Sequence, residues 1–521
     1  MRVDRRTFLR ALAVSGTAAL AGELGGAPSA RGQRRAAVTI AFPETITSMD
    51  PHPAPRNSPR ESMYEAVFDR FLQQDRQLRY GAHIVTAWQW TDGKMGMDLK
   101  IRPGVKFHDG SDLTAEDVAF SIDRLRQVSI YKAIYGKLKD IRAADRAELH
   151  LTFERFEPSF PRWLGFLAGF VVPKAYFLSL GATDEARSEE FSRKPIGSGP
   201  YRVVSFTPGS ALVLEAFDRY WKGVPPIRRA VMKMVTDPTA RVAEILSGQA
   251  DITAEVPVEE FGRLSAQPGL RGVRNPIADM AELFVSPRFE PFKKEEVRLA
   301  VHHAIDKKTL VEKVLLGFGH PVSTTEGPLY DAHDPAFTFP YDPGKARQLL
   351  QKAGYSPSSP LKLTVMTTKG VRAKDFEVVT AIAQMWKDVG IEAELEVITI
   401  PQWFQYRSNR TGQGKGIAPL SLYFWSNATG DPINSVGFQL TAKGPFRVWE
   451  SEDLVPIIDP IFDERDETRR VAAARRAARY AVEKGYIAPL YQVVQPVVMK
   501  KELVYQPFPT GVLIPQEMSW A

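Results

Sequence analysis

Histidine is the side chain to test first for metal or acid–base chemistry, and the chain has eight: His52, His83, His108, His150, His302, His303, His320 and His333. None stands in the H-E-x-x-H spacing that brings two imidazoles onto one helix face around zinc. His302 and His303 are adjacent, so on a helix about 100° separates them and they do not converge on one ion. Gly197-Ser198-Gly199-Pro200 runs into proline where a nucleophile elbow of the G-x-S-x-G type needs its fifth position. Gly412-Gln413-Gly414-Lys415-Gly416 lacks the G-x-x-x-x-G-K-[ST] frame and reads as a flexible loop. Acid pairs such as Glu154/Glu157 and Glu259/Glu260 are too ordinary to imply a glycosidase. No catalytic constellation and no cofactor motif emerges. Acid and base partners distant in sequence leave no such signature, so a secreted hydrolase stands as the rival from a different functional class.

What stands out is aromatic punctuation in the last third. Trp403, Phe404 and Tyr406 form one cluster, and Tyr423, Phe424 and Trp425 lead into a polar loop over 426–432. Broad apolar faces with a few polar groups to orient a ligand suit a binding pocket. For any single one of these rings a packed core is the better reading.

The elements around them mix short strands, helices and Pro/Gly turns. Val38 to Phe42 reads as a buried first strand, and Met97, Leu99 and Ile101 alternate as a half-buried one. Thr114 is placed to cap a helix over 115–127, with Asp117 at the capping-box position and Leu113 and Val118 at the spacing of a hydrophobic staple. Residues 201–216 form a hairpin around Pro208-Gly209. Over 360–400 the pattern is strand, helix, strand, which favours an α/β sheet covered by helices. Asp463 to Lys484 reads as a charged helix whose arginines (469, 470, 475, 476 and 479) make a solvated face.

Over 521 residues the composition is that of a globular protein, with charged residues interspersed and a net charge of +7. No Lys/Arg cluster is interleaved with aromatics, which argues against a nucleic-acid groove. There is no cysteine, which excludes thiol catalysis, disulfides and zinc–thiolate sites. At the N-terminus, Arg5-Arg6-Thr7-Phe8-Leu9 precedes a short, weakly apolar stretch rich in Ala and Gly. It reads as a signal peptide over 1–30 of the twin-arginine type, cleaved after Ala27 or Ala30, releasing a soluble protein into a periplasm-like space.

Ile101-Arg102-Pro103-Gly104-Val105-Lys106-Phe107-His108-Asp109-Gly110, followed by Leu113-Thr114-Ala115-Glu116-Asp117-Val118, resembles the signature of extracellular solute-binding protein family 5. This is the oligopeptide, dipeptide, nickel and opine group of ABC-importer receptors. Further matches follow in the family's order, among them Pro195 to Tyr201, Tyr220-Trp221-Lys222-Gly223, Gly248-Gln249-Ala250-Asp251-Ile252, Tyr341-Asp342-Pro343 and Val389-Gly390-Ile391. The resemblance spans roughly 38–515. It implies an α/β, two-lobed periplasmic-binding-protein fold with a hinge and an extra inserted domain (the cluster C type). Mapped here, lobe I takes 36–60, 195–285 and 485–521, the inserted domain 61–194, and lobe II 286–484. A solute is enclosed by hinge closure and handed, by what is expected to be a monomer, to an ABC permease of the inner membrane.

Site residues follow from the same resemblance. The segment before the first helix of the inserted domain lines the cleft, here Arg56, Asn57 and Ser58. The stretch with Trp403 and Tyr406 faces ligand, with Arg407 as a carboxylate partner. Tyr423 and Trp425 lead to the most informative loop. Peptide-binding relatives read Trp-x-x-Asp there, the Asp pairing with the peptide's amino group, whereas this chain reads Trp425-Ser426-Asn427-Ala428. A buried ammonium without a carboxylate is costly. Ordinary peptides are therefore disfavoured, and Asn427 is expected to hydrogen-bond a neutral or hydroxylated solute. The expectation is a receptor for a polar organic solute, with a peptide or metal-chelate receptor as the runner-up; Asp431-Pro432 fits a structural role.

Overall fold

The computed structural model describes residues 36–53, 58–127, 132–165, 169–408, 419–444 and 451–521. Arg56 and Asn57 lie outside these residues, as does the leader segment.

One 11-stranded sheet runs through the molecule, and its two longest strands explain the two lobes. In the first half, β1 (Ala37–Phe42) lies parallel to both β8 (Arg229–Met234) and β9 (Ile252–Ala254). The hairpin of β6 (Tyr201–Thr207) and β7 (Ala211–Ala216) extends that half antiparallel, turning at Gly209, whose φ of 73° a side chain would strain. In the second half, β11 (Leu361–Thr367) lies parallel to β12 (Ile391–Val397) and β13 (Leu420–Ser426). Between the halves run β10 (Leu270–Val285) and β14 (Ile487–Lys500), antiparallel to one another. β14 pairs with β9 on the first side, and β10 pairs with β13 on the second. Their mutual register breaks between Pro276 and Met280, midway along the crossing. A break in the ladder bends the strand there and relieves the constraint of continuous pairing.

Each half packs its own core. Around β1, Ile40, Met63, Met232 and Met499 are among the residues fully excluded from solvent. Around β11, Val301, Val365, Ile382 and Trp386 fill the second, with the Trp386 indole donating to the Val301 carbonyl at 2.9 Å. A third core lies under a separate antiparallel sheet of β2 (Val85–Thr91), β3 (Gly96–Ile101), β5 (Glu148–Phe153) and β4 (Leu138–Ala143), in that order. That core also takes in residues of the 428–462 segment.

The helix α2 (Ala115–Gln127) starts as its spacing predicts. The Thr114 N–H donates to the Asp117 carboxylate at 2.9 Å, and Leu113 and Val118 are both buried. The arginine-rich helix α7 (Glu467–Glu483) departs from expectation at one position. Arg470 is not solvated: it is buried, and it donates to Asp431 Oδ1 at 2.7 Å and to Ser159 Oγ at 2.8 Å. Its neighbours Arg469, Arg476 and Arg479 are exposed. A guanidinium tolerates such a place only with a carboxylate to meet it, and Asp431 lies in the loop following Trp425.

Candidate functional site

The carboxyl ends of the parallel strands in both halves point into one crevice. In open α/β sheets this is where ligands collect, because the turns leaving the strands are free to carry binding groups. A cavity of about 770 Å³ occupies it. From the first half come the turn after β1 (Phe42 to Glu44), the lead into α3 (Pro238–Leu246), and the turn from β9 into α4 (Val258–Ser265). From the second come the loop between β11 and α5 (Asp375–Lys387) and the face of β13 bearing Tyr423. Ile277 of β10 and Gln495 of β14 line it where the halves join.

The loop of 368–374 is built by Asp375. Its buried carboxylate accepts from the N–H groups of Gly370 at 2.8 Å and Val371 at 2.9 Å, and from the Thr368 hydroxyl at 2.7 Å. This scaffold presents two cations. Arg372 Nη2 donates to Asp279 Oδ2 at 2.5 Å, and Asp279 lies in the register break of β10. Burial works against the Arg372 charge, but Asp279 and then Glu255 more than offset it and hold the guanidinium above its already high value. Its Nε has no hydrogen-bond partner among the described residues. Lys374 crosses the crevice to Glu259 in the first turn of α4, an ion pair joining the two lips. Partial burial opposes the Glu259 charge, yet Lys374 keeps its carboxyl below the ordinary range.

Two non-glycine residues at these lips have left-handed backbones: Lys374 at φ 59° and Glu255 at φ 56°. Such positions are sparsely populated and persist where surrounding contacts fix them. The Glu255 carbonyl accepts from Arg241 at 2.8 Å, and its carboxylate accepts from Gln495 at 3.2 Å. Arg241 also donates to the carbonyls of Val235 and Thr236. It thus braces the wall it lines.

The aromatic clusters divide by depth. Tyr423 lines the cavity, and Trp403, on α6 (Ile400–Ser408), stacks behind it with ring centroids 3.7 Å apart and planes at 14°. Trp403 is buried, and its indole donates to Ser421 Oγ at 3.3 Å. Trp425, opposite Met280 in the register, is buried beside Tyr423 at 6.4 Å between centroids. Tyr406 is half-buried against the same core. Ser58 opens α1 (Ser58–Val67), and the next residue, Pro59, lines the cavity. The side chains of Ser58 and Arg407 lie outside the described residues.

Asn427 does not reach the crevice. It is fully buried; its Nδ2 donates to Glu326 Oε2 at 2.9 Å and to the Asp431 carbonyl at 3.1 Å, and its Oδ1 accepts from Thr429 and Asn434. With both ends of the amide engaged, it organises its own loop. Ala428 is fully buried, and its carbonyl accepts from Gln74 at 2.7 Å. Arg372, Lys374 and Glu255 did not stand out in the sequence, and Glu259 stood there only as half of an ordinary acid pair. The available signal was positional: a basic loop leaving the carboxyl end of a strand in a strand–helix–strand unit.

Among the described residues no group of three His, Asp or Glu side chains is placed to hold a metal ion. The arrangement instead offers cations and carboxylates around an aromatic wall, inside a crevice whose lips belong to different halves.

Comparison with known proteins places the chain in a family and matches its fold. Heme-binding protein A of Haemophilus influenzae is 25% identical over 375 residues, 67% of each chain. The glutathione-binding protein GsiB of Pectobacterium atrosepticum is 26% identical over 405 residues, 75% of each chain. The periplasmic binding protein DppA of Helicobacter pylori, solved with the peptide STSA, superposes with a TM-score of 0.78 at 19% identity, covering 94% of this chain and 100% of its own. The family description "Bacterial extracellular solute-binding proteins, family 5 Middle" matches residues 80–445. The chain belongs to the bacterial extracellular solute-binding proteins of family 5.

Proposed function

We propose that the protein is the exported receptor of an ABC import system, closing its two lobes on a small polar organic solute and presenting it to a membrane permease. The observation that carries this reading is the crevice: a ligand-sized cavity at the carboxyl ends of strands from both halves, with an ion pair across its lips. Both signs of charge line it, in Arg372 and Lys374 and in Glu255 and Glu259, which suits a solute carrying polar groups of both kinds. Closure follows if the solute binds the closed form more tightly than the open one.

Lobe I comprises 36–60, 195–285 and 485–521, the inserted domain 61–194, and lobe II 286–484. The two crossing strands β10 and β14 support this division, because they pair with one another between the two halves of the sheet. Tyr423 with Trp403 behind it, Trp425, Tyr406, and the segment of Arg56, Asn57 and Ser58 belong to the solute site in this reading, with Arg407 as a further cation. The receptor works as a monomer in the periplasm, reached through the Arg5-Arg6 signal, and it catalyses no reaction. Among the described residues no helix is long and apolar enough to cross a membrane.

Relatives carry names for heme, glutathione and peptides, and a peptide or chelate receptor is the second reading. At Ala428 this chain has no carboxylate for a peptide amino group, which favours the first.

Small-angle scattering on protein stripped of solute by dialysis, then given back its periplasmic extract, tests the reading. The radius of gyration is expected to contract saturably; an unchanged radius with solute bound would refute closure.

A further inference from the structure

Four carboxylates line the crevice: Glu44, Glu255, Glu259 and Glu377. Three of them are met by a base. Glu44 pairs with Arg60 at 3.1 Å, Glu259 with Lys374, and Glu377 with the same Lys374 at 3.9 Å. Glu255, half-buried at the first residue after β9, forms no ion pair among the described residues. Its carboxylate accepts one hydrogen bond, from Gln495 Nε2 at 3.2 Å.

Two bases stand within electrostatic reach of Glu255, and both are committed elsewhere. Arg241 gives its Nη1 to the carbonyls of Val235 and Thr236, and its Nη2 to the Glu255 carbonyl rather than the carboxylate. Arg372 gives its Nη2 to Asp279. The crevice therefore holds one carboxylate whose charge no neighbouring side chain takes up.

That carboxylate is held in place. Gln495 of β14 and Asn275 of β10 are buried and lie opposite one another in the register. Asn275 Nδ2 donates to the Phe508 carbonyl at 2.9 Å and to Gln495 Oε1 at 3.3 Å. Gln495 thus turns its N–H end to Glu255. The left-handed backbone of Glu255, at φ 56°, is fixed by Arg241 on its carbonyl. A carboxylate has about four lone-pair sites, and Gln495 fills one. Glu255 borders a cavity of about 770 Å³, so a solute has both room and a route to the others.

Tyr423 and Phe424 line the same space, and Arg372 lies within electrostatic reach of both Glu255 and Tyr423. Open lone pairs on a carboxylate near aromatic faces suit a cation that carries N–H donors.

We propose that Glu255 anchors a cationic nitrogen of the solute, an ammonium or guanidinium group bearing N–H donors. The proposal deepens the reading of the crevice as the solute site and rests on it. A hydroxyl brings no charge and a quaternary ammonium no N–H, so both bind Glu255 less tightly. Glu255 belongs to the first half and Tyr423 to the second. A cation between them touches both only with the lips together, which supplies the differential affinity that closure requires.

The test uses mature protein dialysed free of solute and titrated with 5-aminopentanoate, 5-guanidinopentanoate and 5-hydroxypentanoate, read by isothermal titration and thermal shift. All three carry the same carboxylate, so the comparison isolates the nitrogen. At least one nitrogen probe is expected to bind at least tenfold more tightly than the hydroxyl probe, and the tighter of the two tells an ammonium site from a guanidinium site. In Glu255→Gln, which can still accept from Gln495, the preference is expected to fall to within about threefold. The ratio is taken within one folded protein, so a general loss of stability does not imitate it. Glu255→Asp sets the charge one methylene back and is expected to narrow the preference without abolishing it. Equal binding of nitrogen and hydroxyl probes by wild type, or an undiminished preference in the folded variants, overturns the proposal. Native mass spectrometry of undialysed wild type and Glu255→Gln separates the two claims. A retained solute without a basic nitrogen, or one held equally by the variant, defeats the anchor and leaves the receptor standing. No retained solute, together with no binding of any probe, defeats both.

Discussion

The Tyr423 ring lies flat on the Trp403 indole, 3.7 Å between centroids and 14° between planes, so one ring lines the crevice and the other holds it in place. The pair comes from different elements: Tyr423 from β13 and Trp403 from α6. Stacked aromatics contribute about 0.5–1.5 kcal/mol beyond the area they bury. In Tyr423→Ala, solute affinity is expected to fall at least tenfold in isothermal titration while the circular dichroism spectrum is retained. Tyr423→Phe keeps the stack and is expected to bind within a few-fold of wild type. An alanine variant with full affinity would place the solute elsewhere.

The bond between Arg372 and Asp279 ties a cleft loop to the bend of β10. Removing one member strands the other in a partly buried place, so Asp279→Asn is expected to lose about 1–3 kcal/mol of stability in denaturant titration. The double variant Asp279→Asn, Arg372→Gln is expected to recover part of that loss, giving a coupling of about 0.5–3 kcal/mol. Strict additivity would show that the contact does not contribute.

Lys374 and Glu259 join the lips while remaining partly in water, and exposed pairs contribute only about 0–1 kcal/mol. Lys374→Met is therefore expected to weaken solute binding by less than about fivefold at low salt. The difference should vanish as salt screens the pair. A large loss that persists in high salt would mean that Lys374 contacts the solute itself.

Two buried acids, Glu282 of β10 and Glu326, predict a pH slope. Glu326, raised from 4.5 to about 8, and Glu282, raised well above its ordinary range by burial and then by Glu326, keep protons in the folded protein that the unfolded chain releases. Above about pH 5 the native state binds more protons than the unfolded one, so stability falls as pH rises, by about 1.4 kcal/mol per unit for each retained proton. Glu282→Gln removes one of these protons. Its stability relative to wild type is expected to grow as pH rises above about 5, as followed by melting temperature. A difference independent of pH would show that Glu282 is ionised in the fold.

Legibility in the sequence followed the range of the interactions. Thr114, Asp117, Leu113 and Val118 lie within six residues, so the start of α2 could be read locally. The strand–helix–strand over 361–397 could be read from periodicity. Arg470 looked like its solvated neighbours because its partner, Asp431, lies on a loop 39 residues away. The partner of Asn427 was hidden for the same reason: Glu326, which takes up its amide, lies 101 residues back. Glu282 breaks the apolar pattern of β10 between Met280 and Phe284, a signal present in the sequence whose meaning needed its buried neighbour Glu326. Arg372 and Lys374 gain their importance from Asp279 and Glu259, which only the crossing of the two lobes brings near.

Native mass spectrometry of the mature protein, purified gently from its own periplasm, asks directly whether the crevice holds a solute. A discrete added mass of a small polar solute is expected, at one copy per chain, lost on unfolding and reduced in Tyr423→Ala. A bare protein mass that also shows no saturable shift on return of the periplasmic extract would contradict it.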